Sequence, residues 1–153
     1  MRIIGCTASK NQVDFFCNDA FDGITNQDTN GWAYNAVYPA WAIFELAQNT
    51  SINSLTLISG YFGNHRLITF KVTFLVEDKW VIPAGLGVKE ASDAFVDSDG
   101  TITLKSGLPV LSLNFNLVSS VKSIKIDVTK TDAPNNNLVL REIIPKLNDQ
   151  GML

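Results

Sequence analysis

The chain has 153 residues, of which 46% are hydrophobic and 18% are charged, and its net charge is −3. This composition fits one globular domain and excludes a disordered chain. The net negative charge gives no electrostatic basis for binding nucleic acid, and no apolar run approaches the roughly 20 residues needed to span a bilayer. We therefore expect one domain over residues 1–153, with no nucleic-acid partner and no membrane insertion.

The first twelve residues lack the apolar stretch of roughly 7–15 residues that a signal peptide needs. The sequence therefore predicts a chain that stays inside a cell, leaves it by an unusual route, or is released with an assembled particle. The last alternative fits a virion or phage component, in which the domain decorates the surface of a capsid, tail or fibre.

The two cysteines, Cys6 and Cys17, lie eleven residues apart and share no metal-ligand spacing with the single histidine. One pair of cysteines does not make a disulfide scaffold. We expect two free, partly buried thiols, and a single disulfide bridge is the alternative.

Strand patterns dominate the chain. Eleven of the fifteen acidic residues are aspartate and fourteen residues are asparagine, and both types favour turns between short strands. Apolar and polar residues alternate in several segments, which is the pattern of a strand with one buried face. The predicted strands, in chain order, are residues 41–46, 52–59, 67–76, 101–105, 111–117, 121–129 and 138–144.

Clusters of turn-forming residues separate these strands at residues 48–51, 60–64, 97–100 and 132–137. No segment keeps a helical period for more than a turn or two. About eight short strands without helices between them predict an all-β fold, an antiparallel jelly-roll β-sandwich. We expect the three tryptophans, Trp32, Trp41 and Trp80, in its core.

Residues 20–32 are rich in carboxylate, amide and hydroxyl oxygens. Asn26, Asp28 and Gly31 imitate the first half of an EF-hand calcium loop. Such a loop needs a bidentate acid at its twelfth position, which here is Val37, and it also needs flanking helices. The segment is therefore not an EF-hand.

A set of short motifs occurs in a familiar order over residues 1–145. The set comprises Thr7-Ala8-Ser9, Ala20-Phe21-Asp22-Gly23, Thr29, Trp32, residues 41–46, 52–58 and 64–72, Trp80, and Leu140-Arg141-Glu142-Ile143. It resembles the discoidin or coagulation-factor type C family and the related galactose-binding-fold carbohydrate modules. The resemblance implies an eight-stranded jelly-roll sandwich of the galactose-binding domain-like type.

The resemblance also implies a structural calcium ion where the Asp-Gly loop meets the last strand. The implied ligands are carboxylates of Asp22 and Glu142, the hydroxyl and carbonyl of Thr29, and backbone carbonyls near Asp19 and Gln27. The loop before Trp32 is longer than the usual family loop, so Asp28 or Asn26 is an alternative to Thr29. The alternative to calcium is an asparagine- and aspartate-rich turn that closes by hydrogen bonds alone. A closed calcium site would hold structure and would not catalyse.

Catalytic patterns are not found in the sequence. His65 is the only histidine, and the chain contains no G-x-S-x-G, P-loop or H-E-x-x-H motif. Glycosidase chemistry needs two facing carboxylates, and the four glutamates show no pairing that the sequence reveals. The sequence therefore predicts a protein that is not an enzyme.

Sugar recognition has better candidates in the predicted loops. An aromatic ring stacks on the apolar face of a pyranose, and planar polar side chains bond to adjacent hydroxyls. Residues of these types are Tyr34, Tyr38, Tyr61, Phe62, Asn64, His65 and Arg66.

Four of these loop residues also have a structural alternative. Arg66 matches a framework arginine that precedes a strand in the family, His65 is alternatively a solvated loop residue, and Tyr61 and Phe62 are alternatively loop packing. The function predicted is non-catalytic carbohydrate binding or adhesion, by a surface subunit of a larger assembly. The alternative is a virion or phage structural protein that binds protein subunits rather than sugar.

Overall fold

A computed structural model describes residues 2–12, 15–24, 31–36 and 40–148. Ten strands and one 3-10 helix (Cys17–Phe21) are found within these ranges. The strands are β1 (Ile3–Ala8), β2 (Trp32–Asn35), β3 (Ala40–Ser59), β4 (Leu67–Val76), β5 (Lys79–Val81), β6 (Gly87–Val88), β7 (Phe95–Val96), β8 (Ile102–Thr103), β9 (Val110–Thr131) and β10 (Asn137–Lys146). No described helix has the length and apolar character needed to span a bilayer.

The two long strands, β3 and β9, build the sandwich because each passes from one layer to the other. Residues 40–45 of β3 pair with 123–128 of β9, and residues 54–58 of β3 pair with 110–114 of β9. The first pair of segments lies between β1 and β4, and the second lies between β10 and β6. Strand β2 completes the second layer at the outer edge of β10. The predicted all-β, antiparallel sandwich is confirmed.

Alternating apolar residues from both layers fill the space between them. The largest fully buried side chains are Trp32, Phe44, Phe70, Phe74, Ile52, Leu55, Leu57, Leu67, Ile102, Leu111, Leu113 and Ile124. The rings of Phe74 in β4 and Phe115 in β9 lie 5.1 Å apart, so the layers are in direct contact. Burial of each such side chain contributes about 1.5–3 kcal/mol to the free energy of folding.

The structure differs from the predicted strand boundaries in three places. Residues 48–51 were expected to form a turn, but β3 continues through them, and its register with β9 shifts between Glu45 and Ile52. Strand β9 likewise joins the predicted strands 111–117 and 121–129, and Ser120 has a φ of 59°. Polar residues accumulate at both places because the strands change layers there and leave the core. The predicted strand at 101–105 is reduced to Ile102–Thr103.

The prediction that all three tryptophans lie in the core is wrong for two of them. Trp32 is fully buried, and its indole Nε1 donates to the Lys10 carbonyl at 2.9 Å. Trp41 is only partly buried, and the Lys125 ammonium lies 5.4 Å from its ring centroid. Trp80 is 41% exposed because it lies on the short edge strand β5, which pairs with β4 alone.

The expectation of two free thiols is also wrong. Cys6 in β1 and Cys17 in the 3-10 helix form a disulfide, with their Cα atoms 6.2 Å apart. The Cys17 amide also donates to Asn11 Oδ1 at 2.9 Å, which ties the start of the 3-10 helix to a residue shortly after β1. The disulfide therefore anchors the 3-10 helix to the first strand.

Removing this disulfide by the substitutions Cys6→Ser and Cys17→Ser is expected to lower the free energy of unfolding by about 2–3 kcal/mol, because a closed loop of this length restricts the unfolded chain. Urea denaturation with and without reductant measures the effect. The double variant should not respond to the reductant. Equal stability of the oxidised and the fully reduced wild-type chain, with reduction verified by thiol titration, would contradict the prediction.

Candidate functional site

The loop between β3 and β4 forms a small hairpin that is fixed to the body of the domain. The Tyr61 amide donates to the Asn64 carbonyl at 2.7 Å, and the two residues between them, Phe62 and Gly63, have φ values of 47° and 94°. Positive φ at both central positions is typical of the tight turns that join antiparallel strands. The loop is held at both ends by Val139 of β10, which accepts from the Gly60 amide and donates to the His65 carbonyl.

Aromatic rings cluster on one side of this loop. The Tyr61 ring makes edge-to-face contacts with Phe15 at 6.2 Å, Phe62 at 4.6 Å and His65 at 5.4 Å. Phe62 is 67% exposed. Its left-handed backbone conformation, with a φ of 47°, costs about 1–2 kcal/mol. Residues with strained backbone conformations are concentrated at functional sites, including ligand-binding sites.

An open pocket of about 220 Å³ lies between this cluster and β10, and we call it the aromatic pocket. Its lining residues are Gln12, Phe15, Tyr61, His65 and Val139. The apolar wall suits the face of a sugar ring, and the lining residues Gln12 and His65 are of types that bond to sugar hydroxyls.

The imidazole of His65 is prepared to act as a hydrogen-bond acceptor. Its Nδ1 contacts Asn64 Oδ1, an oxygen that can only accept, and a proton on Nδ1 leaves Nε2 as the accepting nitrogen of the neutral ring. Partial burial lowers the pKa of His65 below its ordinary value, while the negative charge of Asp132 opposes this shift. A hydrogen bond with the Tyr61 backbone opposes the shift as well.

The structure separates the predicted binding residues into three groups. Tyr61 and His65 line the aromatic pocket, with Phe62 and Asn64 in contact with them. Arg66 instead lines a neighbouring cleft, and Tyr34 lies in β2 opposite Leu138 and packs against the core. The prediction for Tyr38 lies outside the described residues.

Sequence reasoning missed Gln12 and Phe15. The Gln12 amide donates to the Ala33 carbonyl at 2.9 Å, and the Ala33 amide donates to the Phe15 carbonyl at 3.2 Å. These contacts with β2 place Phe15 beside Tyr61, whose ring it contacts. The neighbouring aromatics Phe15 and Phe16 were the available signal, but nothing local indicates which loop they meet.

The predicted calcium site is described only in part, because Asn26, Gln27, Asp28 and Thr29 lie outside the described residues. Glu142 of β10 is buried, with 5% of its surface exposed. Its Oε2 accepts from the Gly23 amide at 3.1 Å, and its Oε1 has no hydrogen-bond partner among the described residues. Burial raises the pKa of Glu142 to about 7; the nearby Asp22 carboxylate raises it too, and the Gly23 bond opposes the rise.

Two neighbouring carboxyl groups, one of them buried with an unused oxygen, fit a hard divalent cation. Asp22 also accepts from the Ile24 amide at 3.0 Å, and Asp19 accepts from the Phe16 amide at the start of the 3-10 helix. Across the described ranges, no group of three or more His, Cys, Asp or Glu side chains is arranged to hold a metal ion. A calcium ion at this position would therefore depend on backbone carbonyls as well.

Solved structures of other proteins share this fold. The chain matches a pectin-binding carbohydrate-binding module at 22% identity and a TM-score of 0.68, over 99% of this chain and 94% of that one. It matches the F5/8 type C domain of a Bacteroides fragilis protein at 15% identity and a TM-score of 0.66, over 95% and 91%.

It also matches SpGH29 at 18% identity and a TM-score of 0.69. That match covers 95% of this chain but only 27% of the SpGH29 chain, so this chain corresponds to a minor part of that protein. No protein-family model and no curated protein matches the chain. At these identities the likeness establishes the fold, and the predicted resemblance is confirmed at that level.

Proposed function

We propose that this domain is a non-catalytic carbohydrate-binding module that holds a sugar ring in the aromatic pocket. The observation that carries the proposal is an open aromatic wall with an imidazole and an amide beside it, on a loop fixed at both ends to β10. Tyr61 and Phe15 supply the stacking surface, and His65 and Gln12 supply the polar contacts. The matching pectin-binding module supports this reading of the fold.

The proposed affinity is weak for a single site. A stacked ring with a few hydrogen bonds gives dissociation constants near the millimolar range, or roughly 4 kcal/mol. Adhesion then depends on many copies of the domain acting together. A surface subunit that is repeated many times in a larger assembly would supply these copies.

A glycan array probed with the domain in monomeric form and on a multivalent scaffold tests the proposal. We expect retention of selected glycans by the multivalent form and weak or no retention by the monomer. A multivalent scaffold carrying the Tyr61→Ala variant is the matched control. The absence of any glycan binding by the multivalent wild-type domain would overturn the proposal.

We also propose a structural calcium ion bound by Asp22 and Glu142, with the remaining oxygens from the loop that precedes Trp32. The unused Oε1 of the buried Glu142 supports it, because burial of an unsatisfied carboxylate oxygen is costly. The ion would compensate the charge of Glu142 and tie β10 to the Asp-Gly loop.

A second candidate function is binding to protein subunits of a particle, such as a virion. Trp80, Ile82 and Phe95 are 41%, 45% and 65% exposed on the short strands and connections beside β4. Exposed apolar side chains mark protein contact surfaces where they form one contiguous patch. This function takes precedence if the glycan array gives no binding.

A further inference from the structure

A cleft of about 580 Å³ is lined in part by Arg66, the residue that follows His65 of the aromatic pocket, and we call it the basic cleft. Three cationic side chains line it, those of Arg66, Lys105 and Lys130, together with one carboxylate, that of Asp132. This volume lies within the range of about 300–1,000 Å³ that is typical of small-molecule sites. The local excess of positive charge contrasts with the net charge of −3 for the whole chain.

The cations of the basic cleft are not neutralised by neighbours. Across the described residues, no carboxylate forms an ion pair with Arg66, Lys105 or Lys130, and the ion pair between Lys125 and Asp127 lies outside the cleft. The Nε of Arg66 is buried and has no hydrogen-bond partner among the described residues.

The carboxylate of Asp132 serves to shape the wall of the cleft. Its Oδ1 accepts from the Arg66 amide at 2.8 Å, and the Asp132 amide donates back to the Arg66 carbonyl at 3.1 Å. A Cβ atom on Gly107 would approach Asp132 Oδ2 to 2.4 Å and Arg66 Cβ to 2.9 Å. The wall is therefore closely packed, and Asp132 is committed to the backbone.

We propose that the basic cleft is an anion-binding subsite that takes the carboxylate or sulfate group of an acidic glycan. The guanidinium of Arg66 is suited to planar oxyanions, and Lys105 and Lys130 are exposed at its rim. Buried Ile68 and Leu104 supply an apolar floor.

The ligand class follows from the position of the cleft. Arg66 is the immediate neighbour of His65, so their Cα atoms are about 3.8 Å apart and a glycan chain can meet both sites. One sugar then stacks in the aromatic pocket while the acidic group of an adjacent sugar enters the basic cleft. The inference rests on the proposed sugar binding and adds the charge of the ligand to it.

Titration calorimetry with oligogalacturonate, its fully methyl-esterified form and a sulfated oligosaccharide tests the inference. The esterified form keeps the sugar backbone and removes the charge. We expect the wild-type domain to bind an acidic form roughly three- to tenfold more tightly than the ester, with the difference falling as salt is raised. Preference for the carboxylated or the sulfated ligand identifies which acidic group the cleft takes.

The double substitution Lys105→Gln and Lys130→Gln should remove this preference and leave binding of the ester unchanged. The matched control is Lys89→Gln with Lys122→Gln, two exposed lysines that do not line the cleft, and it should retain the preference. Urea denaturation verifies that both variants are folded.

Equal binding of the acidic and esterified forms by the wild-type domain would overturn the inference and leave the proposed function intact. An equal loss of preference in both double variants would also overturn it, since the effect would then reflect overall charge. If no glycan binds in multivalent form, the proposed function and the inference both fail.

Discussion

Replacing Tyr61 and His65 together by alanine is expected to abolish glycan binding while the domain remains folded. The change removes the central ring of the aromatic cluster and the accepting nitrogen beside it, so stacking and hydrogen bonding are lost together. Neither residue belongs to the buried core. Three ring contacts are lost and each is worth about 0.5–1.5 kcal/mol, so the free energy of unfolding should fall by roughly 1.5–4.5 kcal/mol without loss of the fold. Multivalent glycan binding and thermal denaturation of the same samples measure the two effects.

The matched control for this variant is Trp80→Ala, which removes an exposed aromatic ring outside the aromatic pocket. It should leave glycan binding unchanged. Collapse of stability in the Tyr61 and His65 variant would mean that these side chains pack the loop rather than bind a ligand. Undiminished binding by a well-folded variant would place the sugar site elsewhere on the domain.

Calcium is expected to raise the melting temperature of the wild-type domain, and EDTA is expected to lower it. A ligand that binds only the folded state at a concentration a hundred times its dissociation constant stabilises that state by about 2.7 kcal/mol. The substitution Glu142→Gln should remove most of this response, because the buried carboxylate is then absent. Glu45→Gln, an exposed glutamate in β3, is the control and should keep the response. A wild-type melting curve that ignores both calcium and EDTA would contradict the calcium proposal.

The pH dependence of the free energy of unfolding, measured in EDTA, independently tests the burial of the Glu142 carboxyl group. The pKa of Glu142 is raised from an ordinary value of 4.5 to about 7 in the folded chain. Between these values the folded chain keeps a proton that the unfolded chain has released, so stability should fall as the pH rises from 4.5 to 7.

Above that range, Glu142→Gln in EDTA should be more stable than wild type by about 1–2 kcal/mol, because glutamine is neutral. Calcium should restore the stability of the wild-type domain at pH 8. Urea denaturation across this pH series measures both effects, and a flat wild-type profile would contradict the buried-carboxyl interpretation.

Period-two alternation predicted the core strands because burial on one face acts on every second residue. Val72 and Phe74 in β4, and Leu111 and Leu113 in β9, are buried as that pattern requires. The same reasoning failed at residues 48–51, where polar composition was taken for a turn. A strand that changes layers also loses its buried face, so the two cases look alike in sequence.

The candidate site was predicted only where its residues are close in sequence. The loop of Tyr61, Phe62, Asn64 and His65 was found because aromatic and polar residues occur together between two strong strands. Phe15 reaches the same pocket through contacts with β2 that no local pattern records. Arg66 lines the basic cleft beside Asp132, a residue 66 positions away along the chain, and no local pattern predicts that contact. The disulfide was not predicted because no local pattern shows that β1, with Cys6, and the 3-10 helix, with Cys17, lie side by side.

The position of β10 determines when the nascent chain is able to fold. Strand β10 (Asn137–Lys146) lies between β2 and β3, which both precede residue 60. Until the ribosome has released residue 146, β2 lacks its neighbour and the second half of β3 exposes an unpaired edge. Open edges pair readily with other chains, and pairing between distant segments is slow. The second layer therefore closes after translation of β10, and newly made chains need protection from one another until then.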